Sequence, residues 1–251
     1  IDGDYVVPMA NGMRVIAVNS NVWSPVAVNT CDPGGSAQTD VMTWFEQAVA
    51  ASPAGARTWA VLHVPPGIDA YSAARTGLPV SFYRPELLAR FRAARASDGK
   101  PLGLIVAGHL HNDGFRIIDR TPLLLVPSIS PVHGNNPAFL VARVDGATGT
   151  IANYQAYNLD ENGAAPGDAP PAAFAPEYDF NQSYGVHGFT VASLLQLEQA
   201  IHDDAGMRET QAQHYVSGSS VKAIDAKSWR TYWCANVALD PGPFEACVTG
   251  P

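Results

Sequence analysis

The chain has 251 residues, 47% of them hydrophobic, and a formal net charge of -8 at pH 7. That length admits one large domain or a domain with an appendage, and the apolar share suits a substantial core. The acidic balance argues against a module that grips nucleic-acid phosphates, no apolar run is long enough for a membrane span, and Ile1-Asp2-Gly3-Asp4-Tyr5 lacks the basic and apolar regions of a retained signal peptide.

Met13 to Asn19, mostly apolar and β-branched, reads as a first strand. After the Asp32-Pro33-Gly34-Gly35 turn, Val41, Trp44, Phe45, Ala48 and Val49 recur at helical spacing and build one apolar face. A second strand, Thr58 to Leu62, runs directly into His63. Pro85 suits the first turn of a helix carrying Leu87, Leu88 and Phe91 and stopping near Gly99. Leu102 to Ala107 is a short apolar run that delivers Gly108-His109-Leu110-His111. Each histidine group therefore stands just beyond a strand.

The period then changes. Phe115 to Asp119, Leu123 to Val126, Phe139 to Val144 and Ile151 to Tyr157 read as an antiparallel meander. From Asp160 to about Pro176 the chain is rich in Ala, Pro and Gly and reads as a linker or surface arm. Helical patterns follow around Val191, Leu194, Leu195 and Ile201, around Trp229, Tyr232 and Trp233, and after Asp240-Pro241. The expected organisation is an α/β (α+β) part over 1–159, a linker over 160–176 and a small helical extension over 177–251.

Of three cysteines, Cys234 and Cys247 are near neighbours in sequence, the layout of a small disulfide-closed loop or of two buried thiols, and Cys31 stands apart without an assigned partner. A disulfide would imply an oxidising compartment, secreted or periplasmic.

Neutral imidazoles on a loop anchored by a strand are natural metal ligands. In an extended segment, residues two apart face one side, so His109 and His111 are expected to converge. His63, rigidified by Pro65, Pro66 and Gly67, repeats the arrangement on another strand. His187, His202 and His214 read as structural or solvated, and Tyr154 and Tyr157 as packing residues.

Three motifs stand together: H-x-P-P-G over His63 to Gly67, G-H-x-H-x-D over Gly108 to Asp113, and P-S-x-x-P-x-x-G-x-N-P over Pro127 to Pro137. With the segments around Arg14 to Asn19, Asp32 to Gly35 and Cys234 to Cys247, this set resembles the C-terminal half of the calcineurin-like metallophosphoesterases, and more narrowly the acid sphingomyelinase-like phosphodiesterases. The resemblance implies half of a four-layer β-sandwich flanked by helices, and a two-metal site, usually zinc, with iron or manganese as other divalent choices. By its pattern His63 and His109 would bind one ion and His111 the other, for hydrolysis of a small-molecule or lipid phosphate ester. Asp113 reads either as a group orienting a ligand histidine or as a surface turn carboxylate. His133, Asn135 and Asn136 lie in the loop that the family places near substrate.

The resemblance also shows a gap. The family's first half supplies D-x-H, a bridging aspartate in G-D, and G-N-H with an asparagine ligand and a histidine acid, and none of these is present apart from an unrelated Gly3-Asp4. The general acid is therefore expected outside these residues. Two expectations follow: an N-terminal segment of the same enzyme completes the site as a separate chain or has been lost, or the chain is a non-catalytic fragment or binding module that retains part of the fold. A half-sandwich would leave apolar strand faces open to water.

Overall fold

The computed structural model describes residues 3–25, 35–52, 57–95, 102–161 and 173–250. Cys31, the Asp32 to Gly34 part of the expected turn, the helix stop near Gly99 and most of the expected linker lie outside them. The described residues form a mixed α/β structure with a six-stranded sheet, a three-stranded sheet and eight α-helices.

The first sheet begins with a hairpin of β1 (Tyr5–Pro8) and β2 (Met13–Val18). From β2 the chain passes through a 3-10 turn (Ser20–Trp23), then α1 (Ala37–Ala50), into the parallel strand β3 (Arg57–Leu62). It continues through α2 (Ala70–Thr76) and α3 (Pro85–Arg95) into a third parallel strand, β4 (Leu102–Ala107). A hairpin of β5 (Gly114–Ile118) and β6 (Thr121–Leu125) completes the sheet.

The strand order is β1-β2-β3-β4-β6-β5, with β6 parallel to β4. The single antiparallel meander expected after residue 114 is thus divided: β5 and β6 extend the first sheet, and only the later strands form the second. The reason is the composition of β6, Thr121-Pro122-Leu123-Leu124-Leu125, in which every residue is buried. A strand that is apolar on both faces needs an interior position with cover on both sides.

The second sheet is antiparallel, β7 (Ala138–Val144), β8 (Ile151–Asn158) and β9 (Ala175–Asp179), in that order. Residues 175–179, which the sequence reading divided between linker and helical extension, are therefore a strand. Helices α4 (Phe180–Tyr184), α5 (Val191–Asp203), α6 (Ala205–Tyr215), α7 (Trp229–Ala235) and α8 (Pro241–Thr249) follow.

Alternation along the first sheet sorts its side chains into two cores. Ile16 and Val18, Ala60 and Leu62, Ile105 and Ala107, and Leu123 and Leu125 meet α1 and α3 through Val41, Phe45, Leu88 and Phe91. Leu104, Leu124, Phe115 and Ile117 point the other way, onto Ile151, Tyr154 and Ala156 of β8 and Leu194, Leu197 and Ile201 of α5. A third core holds α7, α8 and Ile68 together, with Cys234 and Cys247 joined in a disulfide. Among the described residues no helix is long and apolar enough to cross a membrane.

Candidate metal and phosphate-ester site

The C-terminal edge of parallel strands is where α/β sheets present their chemistry. β3 and β4 run side by side with Leu62 opposite Ala107, so the residues following them emerge together. His63 Nε2 and His109 Nδ1 lie 3.3 Å apart, and Gly108 N donates to His63 O at 3.1 Å.

The loop carrying His63 is tied down from several directions. The buried hydroxyl of Ser20 accepts from His63 N at 3.1 Å and Val64 N at 2.7 Å, and Tyr83 Oη donates to Val64 O at 2.6 Å. The buried guanidinium of Arg116 donates to Pro66 O at 2.7 Å and Ile68 O at 2.6 Å. Gly67 sits between them at φ 104°, where an added Cβ would come within 2.7 Å of Arg116 Nη1. Only glycine fits there.

The second histidine loop departs from the extended geometry expected of it. His109 and His111 have φ of 70° and 64°, in the left-handed region, which costs a non-glycine residue about 1–3 kcal/mol. His109 packs edge-on against Phe82 and His63, while His111 meets His133 with ring centroids 4.8 Å apart. Partial burial, then the neighbouring His63, lowers the His109 pKa; burial, then His133, lowers that of His111. Both are thereby held as the neutral imidazoles that metals bind. His111 Nδ1 is buried without a hydrogen-bond partner among the described residues.

Two nitrogens bound to one zinc at about 2.0–2.1 Å in tetrahedral geometry are roughly 3.3 Å apart. The 3.3 Å separation of His63 Nε2 and His109 Nδ1 fits that pair. The set is partial, because among the described residues no three His, Cys, Asp or Glu side chains group closely enough to hold an ion.

Asp113 is not the surface turn carboxylate of one of its two readings. It is buried beneath the histidine loop, accepting from Tyr178 Oη at 2.7 Å and Tyr154 Oη at 3.5 Å. Burial pushes its carboxyl up to about 8. The tyrosine read as packing, Tyr154, thus also donates a hydrogen bond to Asp113. Asn135 and Asn136 are buried braces: Asn135 donates to Ser128 O and Ser130 O at 3.3 and 3.1 Å, and Asn136 to Ser217 O at 3.0 Å. His133 alone of that loop group faces outward beside the histidines. His214 stacks on Tyr178 and pairs with Glu177, a structural role.

A cavity of about 240 Å³ opens beside His109 and His133, lined also by Asp69, Tyr71, Phe82, Tyr215 and Tyr232. Asp69 caps α2, accepting from Ser72 N at 3.1 Å, and the Asp-Ala-Tyr-Ser pattern is a helix-start signal that the sequence reading passed over. Tyr215 and Tyr232 arrive from α6 and α7, and no local pattern announces them. A larger cavity of about 460 Å³, between α6 and residues 219–229, contains none of the histidines and offers no ligand set for this chemistry.

The chain is 27% identical over 241 residues to sphingomyelin phosphodiesterase B of Dictyostelium discoideum, covering 86% of this chain and 34% of that protein. To sphingomyelinase phosphodiesterase D of the same organism it is 25% identical over 268 aligned positions, covering 94% of this chain and 58% of the relative. The chain is related to the acid sphingomyelinase-like phosphodiesterases. No family model matches it. Against these phosphodiesterases the chain spans less than two thirds of the relatives' length, and the alignment takes in the histidine loops and most of the helical region.

Proposed function

We propose that this chain contributes the histidine wall of a two-metal centre that hydrolyses a phosphodiester or phosphate ester, in the manner of an acid sphingomyelinase-like phosphodiesterase. The observation that carries the proposal is the 3.3 Å approach of His63 Nε2 to His109 Nδ1 beyond two adjacent parallel strands. His63 and His109 hold one ion and His111, by the family pattern, the other; zinc suits the imidazoles best, with iron or manganese also accommodated. When bound, such cations would supply charge stabilisation for a phosphoryl group and a water of lowered pKa. The chain's own residues supply position: Ser20, Tyr83 and Arg116 hold the His63 loop, and Phe82 backs His109.

In this reading the carboxylate and asparagine ligands and the general acid come from polypeptide outside the 251 residues, and the two sheets form half of a four-layer sandwich. The exposed apolar side chains on β7, Phe139, Val141 and Val144, support it. The disulfide supports an exported, oxidising setting.

The test is metal content and hydrolysis of bis(p-nitrophenyl) phosphate by the chain assembled with its N-terminal complement. His63→Ala and His109→Ala are each expected to lose metal and turnover together. Hydrolysis unchanged by either replacement overturns the assignment. A second reading, a non-catalytic binding module, is favoured by the partial ligand set. Elemental analysis separates the two, since a module need carry no metal even when its complement is present.

A further inference from the structure

The larger cavity, about 460 Å³ between α6 and residues 219–229, is lined by none of the histidines and has a composition of its own. Its volume lies within the roughly 300–1,000 Å³ of small-molecule sites. Among the described residues its wall carries four ionisable side chains, the cations Arg208 and Lys222 and the carboxylates Glu209 and Asp225. Their signs cancel, in a chain whose formal net charge is -8. A cationic or anionic ligand would gain from one pair and lose to the other. The wall therefore favours a neutral ligand that both donates and accepts hydrogen bonds.

These groups have hydrogen-bonding capacity to spare. Lys222 and Glu209 are exposed, and their side chains make no hydrogen bond among the described residues. Asp225 holds the turn before α7 through Oδ1 alone, which accepts from Lys227 N at 2.9 Å and Ser228 N at 2.8 Å, so Oδ2 stays open. Arg208 is pinned through Nη1, which donates to Ile201 O at 3.0 Å and His202 O at 2.7 Å, with Nε and Nη2 uncommitted among the described residues. The apolar part of the wall is narrow. Trp229 is its one aromatic ring among the described residues, and Arg208 already lies over that ring at 4.6 Å, so no pair of rings stands ready to sandwich a flat base. Ala205, Ala212 and Ala226 add only methyl groups, which keeps the cavity open.

A small apolar strip bounded by donors and acceptors of both signs matches a sugar ring. Such a ring presents C–H groups on its faces and, around its rim, hydroxyls that each donate and accept. We propose that this cavity is a binding site for a neutral sugar, with Arg208, Glu209, Lys222 and Asp225 holding its hydroxyls and Trp229 with the alanine methyl groups meeting its C–H face. The site does not depend on the phosphate-ester reading, because it shares no residue with the histidine loops. The same chemistry is offered by a free sugar and by the headgroup of a neutral glycolipid.

The probes are the methyl glycosides of glucose, galactose, mannose and N-acetylglucosamine, titrated into the whole chain and followed by NMR. At least one is expected to bind, and more tightly than its charged counterparts glucose 6-phosphate and glucosamine. Glu209→Ala and Lys222→Ala, each the loss of an uncommitted exposed group, should weaken that glycoside at least about fivefold. Ala226→Phe, also at an exposed position, should block it by filling the cavity, and melting temperature checks that all three variants keep the fold. Phosphatidylcholine vesicles with and without glucosylceramide separate the sources: glycoside binding alone assigns a free sugar, and added retention on glucosylceramide assigns a headgroup. Failure of every glycoside to bind, affinity unchanged in the three variants, tighter binding of a charged sugar or a nucleoside, or vesicle retention without glycoside binding overturns the proposal. None of these readouts needs metal or turnover, so a chain that ignores sugars but binds zinc through His63 and His109 loses this inference alone.

Discussion

Buried carboxyls give the individual residues of this protein their sharpest measurable consequence. Glu198 on α5 is buried against α7, with Asn236 Nδ2 donating to one oxygen at 3.1 Å and the other oxygen unpartnered among the described residues. Burial pushes its pKa up to about 8, as it does for Asp113. The folded state therefore holds these protons more tightly than the unfolded chain. The stabilisation is complete below the ordinary carboxyl range near pH 4 and is lost as pH rises through about 8. Melting temperature should fall between pH 5 and pH 8, and Glu198→Gln should remove part of that fall by keeping the shape without the charge. A melting profile as steep in the variant as in the parent would show that Glu198 does not titrate in this way. At the same scale, Gly67→Ala forces a left-handed residue against Arg116. It should destabilise the fold by more than about 1 kcal/mol, read in urea, and loosen the His63 loop.

Among the elements, α8 depends most on a covalent tie. The disulfide between Cys234 and Cys247 spans 13 positions and joins α8 to α7, and α8 contributes one fully buried large side chain, Phe244, to the third core. Closing a loop of that length is worth roughly 3 kcal/mol. Cys247→Ser should cost about that in global stability and speed amide exchange over 241–249 before the sheets respond. Uniform exchange across the molecule would mean that α8 is held by packing instead. The helices with clear apolar spacing were legible without coordinates: α1 from Val41, Phe45, Ala48 and Val49, and α3 from Pro85, Leu87, Leu88 and Phe91. α2 was not, because its seven residues are shorter than the window in which a 3.6-residue period shows itself. β9 was hidden for a related reason: Ala175-Pro176-Glu177-Tyr178-Asp179 carries little apolar alternation and is a strand because β8 is there to pair with it.

For the whole molecule, the outward row of β7 is the feature that water should not tolerate. Val141 is 52% exposed, Phe139 38% and Val144 36%, on a strand of which only Ala138 is buried. Apolar exposure of this kind marks a surface that expects a partner. The chain alone should bind a hydrophobic dye such as anilinonaphthalene sulfonate, Val141→Glu should reduce that signal, and the N-terminal complement should suppress it with no change in the helical region. Dye fluorescence indifferent to both would leave β7 an ordinary surface. The amino-acid sequence by itself determined local facts: the strands and helices with clear apolar periodicity, that His63, His109 and His111 stand at strand ends, and that Cys234 and Cys247 are near enough in sequence for a short closed loop. Only the tertiary structure decided that His63 meets His109 while His111 turns to His133, that Asp113 lies under Tyr154 and Tyr178, and that Tyr215 and Tyr232 wall a cavity beside them. The division is physical: periodicity and capping are written over a few neighbouring residues, whereas these contacts depend on strand order and on left-handed backbone at two histidines, which arise when distant segments compete for the same buried positions.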